Sequence, residues 1–177
     1  MRSPIRSLRQ FGRDPRGTSA VEFALIAPIM IWFYFGLCEF CQGYMADQRM
    51  SHVAATVADL VTQVDNIDSA GMADIFSVGP LVMRPYDSST LKQRVTHMTM
   101  DAGGNISIDW TSSAGMDGAR PRPPLPPGLI DPGESIVMAE ATYDYDSPVD
   151  YVLPGITQFS HVYYLRPRRS DTVNWIN

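Results

Sequence analysis

The sequence predicts an α+β protein: a long N-terminal helix, half membrane-spanning and half amphipathic, then a small domain with a second helix and an antiparallel sheet. Three observations carry that reading. An apolar run, Ala20–Gly43, follows an arginine-rich start. A helical stripe of apolar residues continues directly from it. Alternating segments broken by turn residues then occupy the second half of the chain, and the order of helices followed by strands argues α+β.

The first 17 residues hold five arginines, Arg2, Arg6, Arg9, Arg13 and Arg16, against one acid, Asp14, although the whole chain of 177 residues has a net charge of -5. A basic end on an acidic body suits either a nucleic-acid arm or a membrane-topology signal. The apolar run decides for the membrane and against nucleic acid. Its uncharged centre, Phe23–Cys38, is extended to spanning length, about 20 residues, if Glu22 and Glu39 sit near the interfaces. Basic flanks stay on the cytoplasmic side. Residues 1–17 are therefore expected inside as a leader, about 20–43 in the membrane with lipid around them, and 45–177 outside, with the outer domain over 65–177. A secretory signal has a shorter apolar segment and a small-residue cleavage site, which Gln42–Ala46 does not offer.

Beyond the span, Ala46, Met50, Val53, Ala54, Val57, Leu60, Val61 and Val64 recur at three- and four-residue steps. The long helix is thus expected over 18–64, kinked or locally broken at Pro28, whose ring removes a donor and clashes with the preceding turn. After a break at 65–68, Asp68 or Ser69 caps a second helix with Met72, Ile75, Phe76 and Gly79 on one face, ending near Pro80–Pro85. Arg94–Met100 and Ile106–Trp110, joined through Gly103-Gly104-Asn105, read as a hairpin, and Ser135–Tyr145 and Gln158–Leu165 as further strands. The proline-rich 120–132 reads as a rigid surface loop in preference to a PPII peptide ligand.

No catalytic constellation emerges, so no enzyme is expected. His52, His97 and His161 are scattered and lack acids or cysteines at metal-ligand spacing, so neither a metal nor a cofactor is expected. They read as surface or strand-face residues. Cys38 and Cys41, late in the apolar helix, read as small hydrophobes. The acids around Tyr143–Asp146 lack the pattern of a calcium loop, and Arg166, Arg168 and Arg169 read as a salt-bridging surface.

The junction Gly17-Thr18-Ser19-Ala20-Val21-Glu22 resembles the leader of type IV pilins and pseudopilins, with Gly17 ending the leader and Glu22 fifth in the mature chain. More narrowly, Gly17, the run Ala20–Leu25, Pro28 and the Gly36…Glu39 end of the span look like TadE-type proteins (TadE/TadF/TadG) of tight-adherence, or Flp, type IVb pilus systems. Val57–Val61 and Tyr164–Arg168 also look similar, whereas the cysteines that many relatives carry in the outer domain are missing. The resemblance implies a minor pilin or pseudopilin-like subunit in the inner membrane, with the outer domain periplasmic. It implies cleavage between Gly17 and Thr18 by a prepilin peptidase, and pairing of Glu22 with the new amine of a neighbouring subunit. The implied partners are that peptidase, other pilin and pseudopilin subunits, and inner-membrane assembly proteins. The alternative is an uncleaved, membrane-anchored binding protein in which Glu22 only complements the helix dipole.

Overall fold

The computed structural model describes residues 15–118, 121–147 and 157–176, with side chains from Gly17 onward. Helix α1, Pro15–Thr62, is followed by β1 (Asn66–Ile67), α2 (Ser69–Met83), β2 (Lys92–Met100), β3 (Ile106–Ala114), β4 (Ser135–Tyr145), β5 (Thr157–Leu165) and β6 (Asn174–Trp175). The α+β architecture expected from the sequence is present, with each predicted element at or near its place. Strands β2 to β5 form one antiparallel sheet in the order β3-β2-β4-β5. A separate two-residue parallel pair, β1 with β6, was not foreseen, because Asp65–Asp68 reads as a plain break.

Helix α1 runs unbroken through Pro28, so the expected local break is absent. The proline removes one N–H, which frees the carbonyl of Ala24, and the ladder resumes on either side. The helix also begins three residues before Thr18 and stops at Thr62. Proline suits that start, since the first helical N–H has no partner in any case.

The outer half of α1 is the spine of the domain. Ala46, Met50, Val53, Ala54, Val57, Ala58 and Val61 are at most 2% exposed, and they pack against α2 and one face of β4 and β5. Across the interface, Val137, Ala139, Ala141, Tyr143 and Tyr145 alternate along β4 toward the same core. The other face of the sheet is covered as well. Leu125, Leu129 and Ile130 of the proline-rich segment pack on Met98, Ile136, Met138, Val162 and Tyr164. The surface loop expected at 120–132 is therefore, from residue 121, a lid over a second apolar cluster. Under its start, Arg94 and Glu140 form a buried two-point ion pair at 2.6 and 2.9 Å.

Helix α2 illustrates how a proline inside a helix is accommodated. Asp68 caps it, accepting from the Gly71 N–H at 2.7 Å. Pro80 lies within it and cannot donate to the carbonyl of Phe76. Gln93 of β2 supplies the missing donor, with Nε2 3.0 Å from that carbonyl oxygen. Gly79 makes the room: a Cβ there would lie 2.6 to 2.8 Å from the end of the Gln93 side chain. Gly79→Ala should therefore push Gln93 away and leave the Phe76 carbonyl unsatisfied, costing about 1–3 kcal/mol. Chemical unfolding of the detergent-solubilised protein measures this, and Gln93→Leu should cost a similar amount. A Gly79→Ala variant as stable as the parent would show that the carbonyl needs no donor.

Candidate functional site

Two halves of α1 meet very different surroundings. From Val21 to Leu37 the large apolar side chains are half to three-quarters exposed, with Phe23 at 72% and Trp32 at 61%. This is the one helix, among the described residues, long and apolar enough to cross a membrane, and none of its most apolar stretch is buried in the protein. A core helix of a soluble domain would be covered. A removable signal would end before the domain, whereas here the same helix supplies Ala46–Val61 to the core.

The domain closes on the helix at Glu39. That carboxylate is 1% exposed and its Oε1 accepts from the Ser147 hydroxyl at 2.7 Å. One turn on, the Tyr86 hydroxyl donates to the Gln42 carbonyl at 3.0 Å, and further out Arg49 donates to the Val82 carbonyl at 3.1 Å. His161 and Asp47 meet at 2.8 Å. The interfacial acid expected at residue 39 is thus a buried fastening between span and domain.

Glu22 stands at the opposite end, exposed among apolar neighbours. Seventeen residues separate it from Glu39, about 25 Å along a helix, less than the roughly 30 Å of a hydrocarbon core. If Glu39 marks one boundary of that core, the Glu22 carboxylate falls just inside the other. An acid there calls for a partner. Gly17 and Thr18 lie in the first turn of α1, where N–H groups lack intrahelical partners. Arg2, Arg6, Arg9 and Arg13, and the side chain of Arg16, lie outside the described residues.

The cysteines are both free, Cys41 exposed and Cys38 partly so. Among the described residues no group of three or more His, Cys, Asp or Glu side chains could hold a metal ion. Asp144 is tied to Lys92 at 3.3 Å and to Gln158 at 2.6 Å. Arg166 pairs with Glu134 and Arg168 with Asp59, as a salt-bridging surface would.

His97 lies on a strand face, as expected, but on the core face and not at the surface. It is fully buried, stacked on Trp110 at 5.7 Å, with Nδ1 2.8 Å from Asp109 Oδ2 and Nε2 3.2 Å from Ser135 Oγ. The distances are those of a Ser-His-Asp array, but the protons are committed elsewhere. Ser135 donates to the Asp171 carbonyl at 2.6 Å, and the Val173 N–H donates to His97 Nε2 at 3.3 Å. Trp110 Nε1 donates to the Val173 carbonyl at 2.7 Å and packs on Trp175. The array clamps the C-terminal strap, which also binds the bottom of α1 and β1: Arg168 N–H to the Thr62 carbonyl, Asn174 N–H to Asp65, and Ile176 N–H to Ile67. The period-two step from Val95 to His97 was the available signal for this, since it puts the ring on the core face.

A bare apolar helix continuous with the spine of an α+β domain is the architecture of a single-pass membrane protein. Residues 17–59 match the family model described as TadE-like protein, and that match supports a TadE-like pilus assembly protein. It covers the span and most of the spine and leaves the sheet outside. No curated protein and no solved structure matches the chain.

Burial pushes the His97 imidazole below its ordinary value of 6.5, with Asp109 opposing. The unfolded chain therefore binds a proton more readily than the folded one, so stability is complete above pH 6.5 and declines as pH falls below it. Asp87 and Asp101 are held below 3.8 by hydrogen bonds, so their losses begin only in a more acidic range. Unfolding midpoints across pH 7 to 5 should fall for the parent and stay nearly level for His97→Gln. A parent midpoint independent of pH in that window would contradict the lowering of the His97 imidazole by burial.

Proposed function

We propose that the chain is a structural subunit, a minor pilin or pseudopilin-like component, of a tight-adherence (Flp, type IVb) pilus machine. It lies in the inner membrane with residues 1–17 cytoplasmic and the domain periplasmic, and a prepilin peptidase cuts it after Gly17. The observation that carries this reading is the sharing of α1 between a bare apolar half and the core of the domain, with Glu22 close to the start. Such a rod can leave the bilayer only together with its domain, which is what a subunit passed from membrane to filament requires. Cleavage would free the Thr18 amine four residues from Glu22, and that amine of one subunit is a suitable partner for the carboxylate of the next. The inner-membrane assembly proteins and other pilins are the partners that follow. The protein acts without catalysis, and the proton commitments of Ser135 and His97 favour that.

Glu22→Ala tests the reading. The carboxylate lies some 25 Å from the domain's first contact at Glu39, so the unfolding midpoint should not change. Insertion should be slightly easier, because an acid costs about 2.5–3.5 kcal/mol at mid-membrane and less near the edge. Piliation and co-purification with other pilus subunits should fall, while intact mass still shows a chain beginning at Thr18. Normal piliation by the variant would remove Glu22 from assembly. A native chain still beginning at Met1 beside an active peptidase would favour an anchored adaptor.

A further inference from the structure

Beside the point where the domain closes on α1 lies a small apolar notch of about 210 Å³, lined by Phe40, Gly43, Tyr44, Asp47, Thr157 and Phe159. Its one charge, Asp47, is paired with His161. Phe40 and Tyr44 are 60% and 58% exposed although they stand at the level of the folded domain. Together with Phe33 and Leu37 they form one stripe at three- and four-residue steps, so the notch continues the exposed apolar surface of the span without interruption.

We propose that this notch beds into the interfacial layer of the outer leaflet, so that the domain leans against the membrane through β5 rather than standing clear on its helix. The proposal rests on the reading of α1 as a membrane span. If the hydrocarbon ends near Glu39, Tyr44 stands about 7.5 Å further out, at the outer limit of the roughly 5–7.5 Å of headgroup layer on each side of the core. A tyrosine suits that depth, its ring facing apolar groups and its hydroxyl facing water. Phe159 and Thr157, at the start of β5, are brought to the same height by the packing of that strand on α1. Lipid is the occupant because the notch is the end of the lipid-facing stripe and its lining holds no unpaired charge.

The test uses the full chain with Cys38 and Cys41 replaced by alanine, carrying single nitroxide-labelled cysteines at Leu37, Tyr44, Gln48 or Thr157. It is reconstituted into phosphatidylethanolamine–phosphatidylglycerol vesicles and read by collision with oxygen and with a water-soluble nickel chelate. Leu37 should favour oxygen and Gln48 the chelate. Tyr44 and Thr157 should lie between, with chelate accessibility several-fold lower than at Gln48. Thr157 is decisive, because it belongs to the domain. If Leu37 is in lipid but Thr157 is as open to the chelate as Gln48, the domain stands clear and the proposal fails. Shielding of Tyr44 and Thr157 from both reagents would mean that protein, for instance a second copy, covers the notch, and the proposal fails equally. A chelate-accessible Leu37 would instead overturn the span itself. The unaltered chain gives a second reading: acyl-chain diazirine lipids should leave adducts on peptides containing Phe40–Tyr44 and Thr157–Phe159. Adducts confined to residues before Glu39 would contradict the proposal.

Discussion

The packing of one face of α1 into the sheet, from Ala46 to Val61, is the interaction on which the rest of the structure depends. The face is made of small and β-branched residues, alanines and valines with Met50, which lets the helix lie close over β4 and β5. Every other tie reinforces that seam. Glu39 and Ser147 close its membrane end, Arg49 fastens it to the end of α2, and the C-terminal strap closes its far end through Thr62, Asp65 and Ile67. Because the spine of the domain is also the continuation of the span, folding and anchoring cannot be separated. Removing the apolar helix at its outer end would take the core with it.

That continuity turns helix geometry into constraints on charge. A membrane boundary at Glu39 would leave too few uncharged residues to cross a hydrocarbon core before Glu22 is reached. The carboxylate would then be met by a partner or by a locally thinned bilayer, since tilting the rod would only shorten its reach. The match to the TadE-like family covers this part of the chain, residues 17–59. The constraint therefore coincides with the matched segment, whereas the sheet and its clamp belong to the remainder.

Much of this was legible in the sequence because periodicity reports local burial. The stripe from Ala46 to Val61, the cap at Asp68 and the turn at Gly103–Asn105 follow from spacing and turn chemistry alone. Ala58 belongs to the same stripe, four residues after Ala54 and three before Val61, whereas Leu60 is only half buried. What periodicity does not report is a partnership between distant residues. Pro80 looks like a helix terminator until Gln93 is seen to replace its missing donor. The proline-rich segment looks like a solvated loop, because nothing local says that Leu125, Leu129 and Ile130 meet the outer face of a sheet formed by other segments. His97 and Ser135 are 38 residues apart in the chain and read as unrelated polar residues until register brings them together. Glu22 and Gly17 are the reverse case: what is proposed for them rests on their position before an apolar run.

The central claim is that α1 is one uninterrupted rod from the membrane into the core of the domain. Hydrogen exchange of the detergent-solubilised protein, resolved along residues 20–62, tests it most directly. The account predicts that amides from Glu39 to Val61 open together with those of β4, in a single cooperative step, with no faster interval between Glu39 and Ala46. A fast-exchanging segment there would mean a hinge between anchor and domain, and would contradict it.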